Sequence, residues 1–198
     1  MIKNIILFFL VALTFNSWSV ETTEKAITYS NFEEAKAAPT QLKFIVESTK
    51  AGIFSSDVDG YVKSFSYSYN FDKKNMIMRN MEIKFKAQSM DTDGESRDEK
   101  LHNLCMSYKE YPEVIVKVQG PLFLKDAKSR TYSGVAIVRG KEKNFKITIS
   151  QKLENGQLKV TGNTSWSLKE MEIPDPSIAI AKLSDEIRIQ FQINESLK

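Results

Sequence analysis

KSFSYSYNF, residues 63–71, alternates Phe65, Tyr67, Tyr69 and Phe71 with Ser64, Ser66, Ser68 and Asn70. Successive side chains of a β-strand point to opposite faces, so this stretch carries one aromatic face and one polar face. A helix would scatter both sets around its axis. The same period of two returns in MEIKFKA (81–87), NFKITIS (144–150) and IRIQFQI (187–193), and more briefly in VIVKV (114–118), VAIVR (135–139), LKV (158–160) and SWSL (165–168). Turn chemistry separates these runs: Asp59-Gly60, Asp72-Lys73-Lys74-Asn75, Gly120-Pro121, Arg139-Gly140-Lys141 and Asn155-Gly156, the last a strong hairpin signal.

Grouping the runs predicts about eight strands, over 42–49, 58–72, 79–88, 114–119, 131–139, 143–152, 157–168 and 186–194. One-sided alternation with tight hairpins is what an antiparallel sheet needs when it closes into a barrel or folds into a sandwich, and the periodicity leaves those two open. Either way the class is all-β. One helix is expected after the third strand, where Leu101, Leu104, Cys105 and Tyr108 stand at i, i+3, i+4 and i+7 and Pro112 stops the run.

At 198 residues the chain suits a single domain behind a leader. Lys3, the apolar run 5–15 and the small residues Ser17 and Ser19 predict a signal peptide over 1–19. The apolar run is shorter than the roughly 20 residues of a membrane helix, and the polar segment after it does not extend it. The rest of the chain is expected to hold no membrane span. No cysteine stands at the cleavage site, so the mature protein is expected to be periplasmic or secreted without a lipid anchor. Residues 20–40 read as an N-terminal arm with a short helical patch at 32–37, and 41–198 as the β-domain. The net charge is +3, and leader removal takes Lys3 and no acid, leaving +2. That is too close to neutral, and too evenly mixed, for a nucleic-acid surface.

The acidic stretch SMDTDGESRDEKL, residues 89–101, invites three chemical readings. As a calcium loop counted from Asp91 it fails, because Gly94 falls at the fourth place instead of the sixth and His102 stands where the twelfth-place glutamate belongs. As a carboxylate site it would use Asp91, Asp98 or Glu99, yet these acids are interleaved with Arg97 and Lys100 like a solvated helix start. His102 and Cys105, the only histidine and the only cysteine, are helical neighbours, but Cys105 falls on the apolar stripe where thiols are inert. One of each is too few for a zinc centre. The third reading is local: Thr92 and Glu95 form a capping box, with acids favoured in the first turns of the helix. No catalytic residue and no metal ligand is therefore assigned.

SMDTDGESRDEKL followed by EYPEVIVKV and SGVAIVRGKEKNFKITI resembles the YceI-like family of exported lipid-binding proteins. The positions that carry the likeness are Ser89, Asp91, Thr92, Arg97, Asp98, Leu101, Tyr111, Pro112, Gly134 and Gly140, and the ending EIPDPSIAIAKLSDEIRIQFQI fits as well. The chain departs from the pattern at Lys100, at Leu104-Cys105-Met106 and at Glu142. The resemblance implies an eight-stranded antiparallel lipocalin-like barrel that holds an isoprenoid chain, such as a polyprenyl or quinone tail, and requires no cofactor. An apolar ligand of that shape needs aromatic and aliphatic walls. The candidates are Phe65, Tyr67, Tyr69, Phe71, Ile83, Phe85, Leu101, Leu104, Phe145, Ile147, Trp166, Ile189 and Phe191, with Asp91, Thr92, Glu95, Arg97, Asp98 and Pro112 as the structural motif beside them. The simpler reading is that these side chains only fill the core. The rivals are a ligand-free stress or adhesion module and a small lipid-modifying enzyme using Asp91 or Asp98. A homodimer stays open.

Overall fold

Alternation along the chain becomes one antiparallel sheet in a computed structural model that describes residues 20–126 and 128–197. The expected leader lies outside the described residues. The strands are β1 (Glu21–Thr28), β2 (Gln41–Lys50), β3 (Phe54–Val62), β4 (Ser64–Asp72), β5 (Ile77–Lys86), β6 (Met90–Asp91), β7 (Glu113–Val118), β8 (Leu122–Phe123), β9 (Arg130–Val138), β10 (Lys141–Glu154), β11 (Gln157–Ser167) and β12 (Ala181–Ser196). They are ordered β1-β4-β5-β7-β9-β10-β11-β12-β2-β3-β6, with β8 beside β5.

The sheet curls over its apolar face. Tyr67 of β4 donates to Glu195 of β12 at 3.4 Å, although β5, β7, β9, β10 and β11 lie between those strands along the sheet. Lys25 of β1 reaches the same carboxylate at 2.5 Å. Because β3 runs into β4 through Lys63, the two limbs of the sheet also meet along the chain.

The expectation of eight strands is corrected to twelve among the described residues, and the single run 58–72 is corrected to two strands. Alternation hides the break. Lys63 leaves both ladders, its N–H bonding Ser89 O and its carbonyl accepting from Tyr29 N–H, each at 2.8 Å, so β3 pairs with β2 while β4 pairs with β5 and β1. The expected Asp59-Gly60 turn is likewise strand, inside β3. The two hairpin turns Arg139-Gly140 and Asn155-Gly156 do form, all four residues with positive φ, as type I′ geometry demands.

The segment expected as an arm is built into the domain. β1 pairs with β4 from Glu21 to Thr28, and helix α1 (Phe32–Ala37), capped by Asn31, seats Phe32 and Ala35 beside Tyr61. The second helix, α2 (Glu95–Lys100), follows the sixth strand and not the third, and continues as a π-helical turn over Leu101–Cys105.

Three cross-strand pairs shape the interior. Phe44 faces Gly60, Phe145 faces Gly134 and Phe191 faces Gly162. A Cβ on these glycines would stand 2.1, 2.4 and 2.1 Å from the opposite ring. Each ring therefore lies across its neighbouring strand, in the place a partner side chain would fill.

Candidate functional site

Inward-pointing side chains do not fill the curled sheet evenly. Towards β8 and the β10–β11 hairpin, Met78, Leu122, Ile149, Leu158 and Val160 are all less than 2% exposed, so this part of the interior is closed to water. On the other side, Val46, Val58, Phe85, Val116, Phe145, Trp166, Ile187 and Ile189 also point inward yet are only half-buried. The space they face is a cavity of about 430 Å³. Its walls are β2, β3, β5, β6, β7, β9, β10, β11 and β12, and it is covered by Leu101 and Cys105 of the π turn, by Met106 just after it and by Ile173, Pro176 and Ile178 of the loop before β12.

The lining is apolar, and its charged members all carry one sign: Lys43, Lys50, Arg97 and Lys100. Lys43 is held by Asp59 at 2.7 Å. Arg97 donates to Thr92 O at 2.6 Å and to Asp93 O at 3.2 Å. Neither Asp nor Glu lines the cavity among the described residues. Burial pushes the Cys105 thiol up to about 11, against a smaller opposing pull from Arg139, so the group is a neutral wall of the cavity.

Of the expected wall residues, Ile83, Phe85, Leu101, Phe145, Ile147, Trp166, Ile189 and Phe191 come together around this cavity. Phe65, Tyr67, Tyr69 and Phe71 are buried on the inward face of β4 but stand outside its lining. Tyr67 and Tyr69 stack with ring centroids 6.4 Å apart, next to the buried Glu195. Burial first, and the Glu195 carboxylate after it, pushes both phenols well above their ordinary range. Leu104 is 44% exposed and does not face the interior. The cause is the π turn: Met106 N–H bonds Leu101 O at 2.9 Å, and the wider spiral puts Cys105 and Met106 under Leu101 while Leu104 turns outward.

Sequence reasoning did not single out Val46, Val58, Val116 or Ile187, although all four stand at alternating positions of recognised strands. The covering loop, with Ile173, Pro176 and Ile178, has no periodicity; it belongs to the ending that fits the family pattern, but nothing in its residues marked them as walls.

The acidic stretch is a structural junction, but not by the expected capping box. Gly94 is the N-cap of α2, without a side-chain cap bond, and Glu95 is the first helical residue. Asp98 instead reaches back and accepts from Thr92 N at 2.8 Å and Thr92 Oγ1 at 2.6 Å. Asp91 pairs with Lys63 at 2.8 Å and accepts from Asp93 N at 2.8 Å. Partial burial pushes the Asp91 carboxyl up, but the bonds from Lys63 and Asp93 outweigh it and hold it below its ordinary value.

These acids, with His102 and Tyr108, border a separate open hollow on the surface. His102 Nε2 lies 2.8 Å from Met90 O, and the Cys105 thiol donates to Pro174 O at 3.7 Å, so imidazole and thiol serve different partners. Pro112 does not end the helix. The helical segment stops at Cys105, the chain turns at Ser107 with φ 47°, and Pro112 offers its carbonyl to Ala87 N–H where β7 begins. No group of three or more His, Cys, Asp or Glu side chains among the described residues is arranged to hold a metal ion.

A family model for the YceI-like domain matches residues 18–194. Curated proteins give no sequence match. Among solved structures, BcnA of Burkholderia cenocepacia aligns with a TM-score of 0.65 at 12% identity, over 79% of this chain and 96% of its own. The YceI protein of Campylobacter jejuni aligns with a TM-score of 0.63 at 19% identity, over 72% and 86%. A polyisoprenoid-binding domain from Saccharophagus degradans aligns with a TM-score of 0.55 at 10% identity, over 80% and 94%. At such identities these likenesses speak for the fold.

Proposed function

Because the chain belongs to the YceI-like domain family, we propose that it is a non-catalytic binding protein that carries a long apolar lipid of the isoprenoid type in the cavity. The observation behind this is the set of inward-pointing side chains that stay half-buried around about 430 Å³ of apolar space. That volume lies within the range of about 300–1,000 Å³ usual for small-molecule sites. A branched hydrocarbon chain placed there leaves water for aliphatic and aromatic walls, at roughly 25 cal/mol per Å² buried before ordering costs. The name of the Saccharophagus degradans relative supports the ligand class. The basic side chains of the lining that have no carboxylate partner among the described residues, Lys50, Arg97 and Lys100, suit a lipid whose polar end is anionic or rich in acceptor oxygens. The same reading takes the protein to be exported, on the leader pattern of residues 1–19.

Catalysis through Asp91 or Asp98 has no comparable support. Both carboxylates are engaged by Lys63, Asp93 and Thr92, outside the cavity lining. The test is solvent extraction of the purified protein followed by mass spectrometry. A long-chain isoprenoid is expected from the wild type. It should be largely lost from Val46→Phe/Val58→Phe, whose directly paired side chains would fill the cavity. Absence of any lipid, together with no rise in melting temperature when a polyprenyl alcohol is added, would overturn the reading.

A further inference from the structure

Four of the large apolar side chains that stand exposed among the described residues gather at one place. Ile53 is 75% exposed, Phe54 69%, Ile178 44% and Ile180 73%. They belong to the β2–β3 turn, to the first residue of β3 and to the loop leading into β12. Lys50 pairs with Phe54 on one side and Ala181 on the other, and Ala51 N–H bonds Ile180 O at 3.0 Å, so the two segments form one tip. Exposed apolar residues scattered singly need no explanation, but a cluster at the rim of a cavity does.

The tip is continuous with the cavity, since Lys50, Ile178, Ala181 and Leu183 also line it. Over 49–56 and 177–184 its only charged residues are Lys50 and Lys182, and of the flanking acids Asp57 is engaged by Arg188, Asp185 by Ser167 and Asp175 by Ser177 N–H, away from the crest. Apolar side chains at the crest with lysines beside them match the boundary between acyl chains and anionic headgroups. We propose that this tip docks the protein on an anionic lipid bilayer, with Ile53, Phe54 and Ile180 entering the interface and the cavity rim held against the membrane.

A lipid leaving the bilayer would then reach the apolar walls without crossing water. This role in transfer rests on the lipid-binding function proposed above, whereas docking itself does not.

The experiment is co-sedimentation of the full protein with vesicles of phosphatidylethanolamine and phosphatidylglycerol, beside vesicles of phosphatidylcholine alone. The wild type should sediment with the anionic vesicles and less with the neutral ones, and added salt should weaken binding. Ile53→Ser/Phe54→Ser/Ile180→Ser should reduce binding about tenfold or more while melting like the wild type, because all three side chains are exposed. Lys182→Glu should lower binding to the anionic vesicles only. Wild type that stays in the supernatant, or a triple variant that sediments equally well, overturns docking. So does a wild-type dimer that the triple variant turns into monomer with no vesicle binding by either, since the tip would then cover a second copy. Lipid extraction from the same preparations separates the two proposals: bound isoprenoid without vesicle binding sinks docking alone, and vesicle binding without isoprenoid sinks the carrier function alone.

Discussion

Phe44, Phe145 and Phe191 each lie across a glycine of the neighbouring strand, and all three rings line the cavity. The glycines therefore decide where the rings go. A methyl at Gly162 would stand 2.1 Å from Phe191 Cε1, so the ring must swing away from the sheet, towards the interior. Gly162→Ala is expected to cost about 1–3 kcal/mol by overpacking and to reduce lipid content, read by thermal melting and by lipid extraction. Cys105 gives a second test at this scale. With its thiol pushed up to about 11 by burial, only on the order of one molecule in three thousand is thiolate at pH 7.5. Alkylation by iodoacetamide should be very slow in the folded protein, climb about tenfold per pH unit towards pH 10, and become fast at neutral pH in denaturant. Rapid labelling of the folded protein at pH 7.5 would mean that the thiol is not shielded as described.

The segment α2 and its π turn covers the cavity; Arg97 and Asp98 tie its start to Thr92, while Arg139 holds its end by donating to Leu104 O, Cys105 O and Ser107 Oγ. Asp98 is the half-buried one, accepting two bonds from Thr92, whereas the exposed Arg97 donates to carbonyls partly reached by water. Asp98→Ala should cost about 2–3 kcal/mol and Arg97→Ala nearer 1 kcal/mol. In both variants amide exchange over 95–106 should rise and lipid retention should fall. The π register makes a separate prediction. Leu104→Ala should change stability by less than about 0.5 kcal/mol, while Leu101→Ala, which removes a wall of the cavity, should cost about 1–2 kcal/mol in urea unfolding. At a 3.6-residue period the two would be equivalent, and that equivalence is what the sequence pattern of this segment implied. The other elements divide in the same way. β4, β5, β10 and β12 were legible because one face meets the interior and the other meets water, which writes a period of two into the residues. β1, ETTEKAIT, was not, since it is an outer strand exposed over most of both faces. Alternation also marks a side chain as inward without saying what it meets there. That is why Tyr67 and Phe85 looked alike, although one is packed near Glu195 and the other faces the cavity.

At the scale of the whole molecule the cavity depends on the packed part of the interior holding the curl. Tyr67 and Lys25 both engage Glu195, a buried carboxylate of β12, and so tie the β1–β4 limb of the sheet to the β12 limb. This tie has a pH signature. The Tyr67 and Tyr69 phenols titrate well above their ordinary range in the folded protein, owing to burial and then to Glu195, while in the unfolded chain they ionise near 10. A group whose pKa is raised by folding contributes stability that is complete below its unfolded value and is lost as pH rises from there towards the folded value. Stability should therefore hold level up to about pH 9, as far as these two groups set it, and then fall by up to about 1.4 kcal/mol per pH unit for each phenol. Urea unfolding at pH 8, 10 and 11 checks the decline. Absorbance titration should show neither phenolate appearing before the sheet unfolds. Tyr67→Phe/Tyr69→Phe should be less stable at pH 8, because Glu195 loses its phenolic partners, yet fall more gently above pH 10. An alkaline slope unchanged in that variant would show that other groups set the limit, and that the tie between the two limbs of the sheet does not rest on these phenols.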